Sequence, residues 1–243
     1  MGIEKITKRV FFYPHQPETD RPMLACVQGD KITLAIDAGN SAEHVDEFYN
    51  ALDIRGLRRP NFTAITHWHW DHTFGMHNIN GLSIAYTKTN QYLETERKKL
   101  CKKEYIEFLR KDDKCLNKEY ADNKEIIITL ADIQFEKELV INLGGVTAKI
   151  FHAESPHSED SVLIHLPEEN ILFLGDATSE DFYNNGYMDK KKLQQLIQLI
   201  EQTDCQYCIL SHCEPLCKTD LLQYLKSINR ATIKDKNETA LER

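Results

Sequence analysis

Histidine and aspartate crowd one short stretch of the chain, Thr66-His67-Trp68-His69-Trp70-Asp71-His72. Imidazole nitrogen and carboxylate oxygen in one place make a metal site, and this mixture of donors suits zinc or a similar divalent ion. On an extended segment His67 and His69 alternate and face one way, whereas Asp71 and His72 leave that register and reach a second point nearby. One loop can therefore feed two ions. The blander reading, a polar turn with satisfied histidines, has to explain four ligand residues within six positions and is the weaker one.

The elements around the stretch must position these side chains. Residues 62–65 are apolar, β-branched or aromatic and read as a strand that ends where the histidines begin, which delivers them to the mouth of a sheet. Further ligands have to come from other strand ends. His157 precedes a strand at 161–166, Asp176 follows Phe173-Leu174-Gly175, and His212 follows Ile209-Leu210-Ser211. Each borders an apolar strand as the first motif does, and that convergence is the argument for including them.

The opening third reads as strands at 9–13, 23–28 and 31–37, the last two joined by a tight hairpin over Gly29-Asp30. Ser41 then caps a helical pattern through Val45, Phe48, Tyr49 and Leu52, with Gly56 as its stop. A strand follows at 82–86. The charged stretch 88–113 places Tyr92, Leu93, Leu100, Tyr105, Phe108 and Leu109 at helical spacing, so one or two amphipathic helices form an insert at about 88–120. A solvated insert packed beside the core is preferred there over a lid. The second half gives strands at 125–130, 138–142, 146–152, 161–166 and 171–174. It ends with a helix at 189–202, a strand at 207–210 and a last helix from Thr219, with a charged tail from Ala231 that frays. Two strand-rich halves, each with its helices to one side and no Pro, Gly or Ser linker between them, pack as two sheets face to face with helices outside, in one domain over 1–243.

Composition excludes several classes of partner. The formal charge is -8, and the one Lys-rich stretch carries interleaved acids, so no basic face for nucleic acid is expected. No apolar run is long enough for a membrane span or a signal peptide. Seven cysteines without the spacing of a disulfide framework read as reduced thiols, and the expected compartment is the cytoplasm. The cluster Cys205, Cys208, Cys213 and Cys217 lacks paired Cys-x2-Cys knuckles and is read as core and surface thiols, not a second zinc site. His15, His44, His77, His152 and His165 read as surface or turn residues.

The set His67, His69, Asp71, His72, His157, Asp176 and His212 resembles, in number, order and spacing, the signature of the metallo-β-lactamase-fold hydrolases. That resemblance spans nearly the whole chain. It implies an α/β (α+β) fold, a four-layer αββα sandwich with a dinuclear site at one edge of the sheets, and a hydrolase holding two divalent ions, zinc first, iron or manganese as alternatives. Carried over position by position, His67, His69 and His157 would bind one ion, Asp71, His72 and His212 the other, and Asp176 would bridge them. Asp37-Ala38-Gly39 looks like the family's Asp-x-Gly turn, whose aspartate lies behind the site and orients a ligand. Asp37 is thus expected to accept the second ring N–H of a metal-bound histidine; an aspartate merely ending a strand in an Asx turn is the alternative.

Departures from the family narrow the substrate. Zinc β-lactamases place cysteine or serine where this chain has Asp176, and a bridging carboxylate is typical of the family's hydrolases of thioesters, lactones and phosphodiesters. The thioester-cleaving glyoxalase II branch carries Gly where this chain has Pro156, and a basic C-terminal patch with no clear equivalent here. The implied chemistry is hydrolysis by a metal-activated water, with Asp71 and Asp176 as carboxylates able to carry the proton to the leaving group. A small ester, thioester or lactone is the expected substrate, ahead of a phosphodiester or of iron-dependent oxygen or sulfur chemistry. Tyr183 is a candidate for substrate contact, with Trp68 and Trp70 behind it.

Overall fold

The computed structural model describes residues 2–122 and 124–241, the stretch 230–241 by backbone alone. Its strands are β1 (Glu4–Lys5), β2 (Val10–Tyr13), β3 (Leu24–Gln28), β4 (Thr33–Ile36), β5 (Phe62–Ala64), β6 (Leu82–Tyr86), β7 (Ile133–Phe135), β8 (Glu138–Asn142), β9 (Thr147–His152), β10 (Val162–Leu166), β11 (Ile171–Gly175), β12 (Tyr207–Leu210) and β13 (Leu216–Cys217). The helices are α1 (Ala42–Ile54), α2 (Trp70–Thr73), α3 (Thr87–Leu100), α4 (Lys103–Asp112), α5 (Lys114–Glu119), α6 (Lys190–Gln202) and α7 (Lys218–Leu241). The first sheet runs β1 to β7 in chain order, and the second runs β13-β12-β11-β10-β9-β8. Both begin antiparallel; the first turns parallel at β4-β5-β6-β7, and the second has one parallel pair, β11-β12, before the antiparallel β12-β13. The two strand-rich halves expected from the sequence thus each form one sheet.

Strands buried on both faces need apolar residues at successive positions, and these strands have them. On β3, Ala25 and Val27 face the second sheet, meeting Ile150, Ile164 and Phe173, while Leu24 and Cys26 face outward onto α1 through Val45, Phe48 and Leu52. Likewise Leu163 and Leu172 turn away from the centre, onto Leu193, Leu196, Ile197 and Ile200 of α6 and Leu221 and Leu225 of α7. The layers are therefore helix, sheet, sheet, helix. Full burial of one such leucine contributes about 1.5–3 kcal/mol, and cutting Leu163 back to alanine would cost about 3 kcal/mol through the cavity left behind.

Helix starts follow their caps. The Ser41 side chain accepts from the His44 backbone N–H at the start of α1, and Asp189 accepts from the Lys191 and Lys192 N–H groups at the start of α6. Among the described residues no helix is long and apolar enough to cross a membrane. The expectation of a frayed tail beyond Ala231 falls on residues whose side chains lie outside the described set; the backbone there continues α7 as far as Leu241.

Several local expectations are corrected. The β3–β4 connection is not a two-residue hairpin: Gln28 pairs with Thr33, and residues 29–32 turn against the second sheet, where the Leu143 carbonyl accepts from Lys31 and Ile32 N–H. A Cβ on Gly29 would stand 2.1 Å from that carbonyl oxygen, so only glycine fits the approach. Residues 125–130 form no strand; β7 lies further on. The apolar residues there pack instead under the inserted helices, Ile128 beside Leu93 and Leu116. The Asn90 side chain takes both backbone groups of Ala131, which a ladder would otherwise use. The insert breaks into α3, α4 and α5, the last started by the Asp113 cap on Cys115 and Leu116 N–H. His44 is no surface residue: it is fully buried in the first turn of α1, with neither ring nitrogen hydrogen-bonded.

Candidate metal centre

The residues singled out in the sequence meet at the ends of the two sheets. His67 and His69 lie in the loop after β5, Asp71 and His72 in the single turn of α2, and His157 between β9 and β10. Asp176 follows β11, and His212 follows β12. Two hydrogen bonds tie these loops to the opposite sheet: Val162 N–H donates to the Thr66 carbonyl at 2.7 Å, and Met23 N–H to the Ser211 carbonyl at 2.7 Å. The ligand-type atoms gather in two groups, His67, His69 and His157 in one and Asp71, His72, Asp176 and His212 in the other, with all atoms of each group within 4.8 Å of one another. In the first, His157 Nε2 lies 3.2 Å from His67 Nε2 and 3.0 Å from His69 Nδ1. In the second, His212 Nε2 lies 3.1 Å from Asp71 Oδ2 and 3.2 Å from Asp176 Oδ2, and His72 Nε2 lies 2.9 Å from Asp71 Oδ2.

The hydrogen bonds behind the site decide which nitrogens carry protons. Glu180 offers a carbonyl, which only accepts, to His157 Nδ1 at 2.8 Å, so Nδ1 holds the hydrogen and Nε2 presents a lone pair. Thr66 donates its hydroxyl to Asp37 Oδ2 at 2.9 Å and therefore accepts from His67 Nδ1 at 3.0 Å, leaving a second lone pair on His67 Nε2. Two lone pairs facing each other at 3.2 Å repel unless a cation sits among them. Asp37 also accepts from His72 Nδ1 at 2.8 Å, and the buried His72 Nε2 makes no aligned hydrogen bond but faces the Asp71 and Asp176 carboxylates at 2.9 and 3.4 Å. The donor set and its proton pattern fit divalent ions of the zinc type.

Asp37 can take this place because it sits in the left-handed region, φ +62°, immediately after β4, where its other oxygen accepts the Thr66 N–H at 2.7 Å. Charge clustering moves the titrations. Burial holds His67 well below the usual imidazole range and His69 down to about 3, the neighbouring histidines adding to it. In the second group burial opposes ionisation, but the charges more than offset it. Asp71 and Asp176 are held well below the usual carboxylate range by His72 and His212, and His212 is raised to about 10.

A residue that sequence reasoning missed is Asp20. It lies 3.6 Å from His212 Nδ1 at a left-handed position, and burial and then Asp71 raise it to about 6. No local pattern around it signals a site. Trp70 packs into the core against Phe74, whereas Trp68 and Tyr183 stay beside His69.

The family profile of the metallo-beta-lactamase superfamily matches residues 26–190. The chain belongs to that superfamily. It is accordingly a metal-dependent hydrolase on the metallo-beta-lactamase fold. No curated protein sequence matches it. Among solved structures, a metallo-beta-lactamase from Pontibacter korlensis is similar at TM-score 0.65 and 17% identity, over 94% of this chain and 98% of that one. The metallo-beta-lactamase FIM-1 from Pseudomonas aeruginosa, solved in a mono-zinc form, is similar at TM-score 0.62 and 15% identity, over 96% of each chain. A sec-alkyl sulfatase superposes at TM-score 0.68 and 15% identity, covering 100% of this chain and 45% of its own. At these identities the likeness is one of fold.

Proposed function

We propose that this metallo-beta-lactamase-fold protein is a dinuclear zinc hydrolase of a small ester, thioester or lactone. The observation that carries the reading is the place of Asp176. Its Oδ2 lies 3.2 Å from His212 Nε2, 3.4 Å from His72 Nε2 and 3.8 Å from His157 Nε2, so one carboxylate borders both ligand groups. His67, His69 and His157 would hold one ion and Asp71, His72 and His212 the other, with Asp176 between them. When bound, such a pair lowers the pKa of a shared water toward neutrality and polarises the scissile carbonyl.

The chain's own groups do the rest. Asp37 and Thr66 lock His72 and His67 in the tautomers that point lone pairs inward. Asp71 and Asp176 are the carboxylates placed to take a proton from the water and pass it to the leaving group. No side chain serves as nucleophile. An aspartate at 176 favours a carbonyl ester, thioester or lactone over a β-lactam. The net charge of -8 favours a small molecule over nucleic acid, and the free thiols are those of a cytoplasmic protein.

Metal analysis of protein purified without chelator, with a panel of esters, thioesters, lactones, phosphodiesters and β-lactams, tests this. Two zinc ions per chain and turnover of a carbonyl substrate are expected. His69→Ala should remove metal and at least about 100-fold of the rate. Iron with visible absorption, or phosphodiesters as the best substrates, would overturn the assigned chemistry, and an unaffected His69→Ala would overturn the site.

A further inference from the structure

Aromatic rings collect on one side of the first ligand group. The Tyr183 ring lies 4.7 Å from that of His69 and 4.8 Å from that of Trp68, and Trp68 lies 5.4 Å from Tyr92. Phe182 meets His157 edge-on at 5.7 Å. Trp68 is partly buried against the core beside Trp70, but the outer rings are not core residues: Phe182 is 62% exposed and Tyr183 60%, with Tyr187 nearby in sequence at 56%. Phe182 and Tyr183 each rest against a candidate metal ligand and leave their remaining surface open. Adjacent exposed aromatics beside a polar centre are a poor arrangement for stability and a good one for holding an apolar group.

The segment that carries them is held in place. Asp181 N–H donates to the Tyr187 carbonyl at 3.0 Å and the Asp181 side chain accepts from Asn184 N–H at 3.1 Å, closing the turn. The preceding residue, Glu180, accepts from His157 Nδ1 through its carbonyl at 2.8 Å. The rings are thereby tethered to a candidate ligand and keep their distance from it. At the far end of the row, Lys88 lies 5.8 Å over the Tyr92 ring and is paired with Glu159, whose carboxylate also accepts from the Tyr92 hydroxyl. The row therefore offers ring faces and a neutralised ion pair in place of a spare charge.

We infer that Trp68, Phe182 and Tyr183 form an aromatic shelf that seats the apolar part of the substrate. The substrate class is then an ester, thioester or lactone of an acid bearing an aryl or alkyl group, not a bare acetyl ester. This rests on the hydrolytic reading of the same site. With the group on the shelf, the carbonyl lies toward Asp71 and Asp176, so the shelf sets specificity through binding.

The test compares methyl acetate with methyl phenylacetate on zinc-loaded enzyme, and separately follows binding of phenylacetamide by quenching of tryptophan fluorescence. Wild type is expected to favour the phenylacetate by about tenfold or more in kcat/KM, mostly through KM. Phe182→Ser/Tyr183→Ser should raise that KM and weaken phenylacetamide by about tenfold while keeping its zinc. Tyr183→Phe should retain the preference. Turnover with no preference, or a preference unchanged in the double variant, overturns the shelf. If neither ester is hydrolysed but phenylacetamide binds and the double variant weakens it, the shelf stands and the hydrolytic reading fails.

Discussion

Asp20 Oδ1 faces His212 Nδ1 at 3.6 Å, while the other nitrogen of the same ring, Nε2, faces Asp71 and Asp176. The separation suits an ion pair and is just beyond a hydrogen bond. Asp20 stands behind His212 as Asp37 stands behind His72. If the proposed second ion sits at Asp71, His72 and His212, Asp20→Ala is expected to weaken its binding by about tenfold and to leave binding at the His67, His69 and His157 group unchanged. Competition with a chromophoric chelator measures both, and equal losses at the two positions would remove Asp20 from this role.

In the metal-depleted protein, stability should fall as pH rises. Burial lowers the affinity of His212 for its proton, but Asp176 and Asp71 more than offset that and bring it from 6.5 up to about 10. A folded-state value above the unfolded one means that the contribution is fully present below about pH 6.5 and is lost as pH climbs through about 10. His72, also raised, acts in the same direction. Denaturant titrations of chelator-treated protein between pH 6.5 and 10 should show the decline, and metal affinity should rise over the same interval because binding expels these protons. A flat profile would contradict the charge cluster.

Gly175 should not tolerate alanine. Its φ is +55°, and an added Cβ would come within 2.8 Å of the Thr66 Cβ. Thr66 holds both Asp37 and His67, so the clash is passed to both ligand groups. Gly175→Ala is expected to cost about 1–3 kcal/mol and to lower metal content, read by thermal melting and metal analysis. Undiminished metal content in this variant would show that the loop adapts.

Removing Glu119 should loosen the inserted helices. Its carboxylate grips Arg21 twice, at 2.8 and 3.1 Å, with side chains only 2% and 7% exposed, and Arg21 follows Asp20 directly. Glu119→Ala leaves a buried guanidinium with only Glu47 and should cost about 3 kcal/mol, roughly 6–12 °C in melting temperature. A change below about 1 kcal/mol would mean that water replaces the lost partner.

The sequence was informative where one residue type determines one environment. His67 to His72, His157, Asp176 and His212 could be picked out because each abuts an apolar strand, and the helices α1 and α6 because caps and apolar spacing agree. It was uninformative where tertiary contact decides. The apolar run 125–130 has strand composition, yet Asn90 captures the Ala131 backbone and the run becomes the floor of the insert. Gly29-Asp30 looks like a hairpin turn, yet Leu143 from the other sheet shapes it. Asp20 carries no pattern at all, since what marks it is its approach to His212, far away in the sequence.

The chain builds its first sheet entirely before Glu136 and its second entirely after it, and the site lies where the two meet. Ions held by the proposed groups would each draw ligands from both halves, His67 and His69 with His157, Asp71 and His72 with His212. Each ion would then be a rivet between two consecutive stretches of polypeptide that otherwise adhere through apolar faces, a few backbone bonds and side-chain pairs such as Lys88 with Glu159, closing a loop of chain as a disulfide would. Catalytic competence and the union of the halves would share one fastening, so a metal-starved cell would inactivate this protein and expose it to proteolysis in the same step.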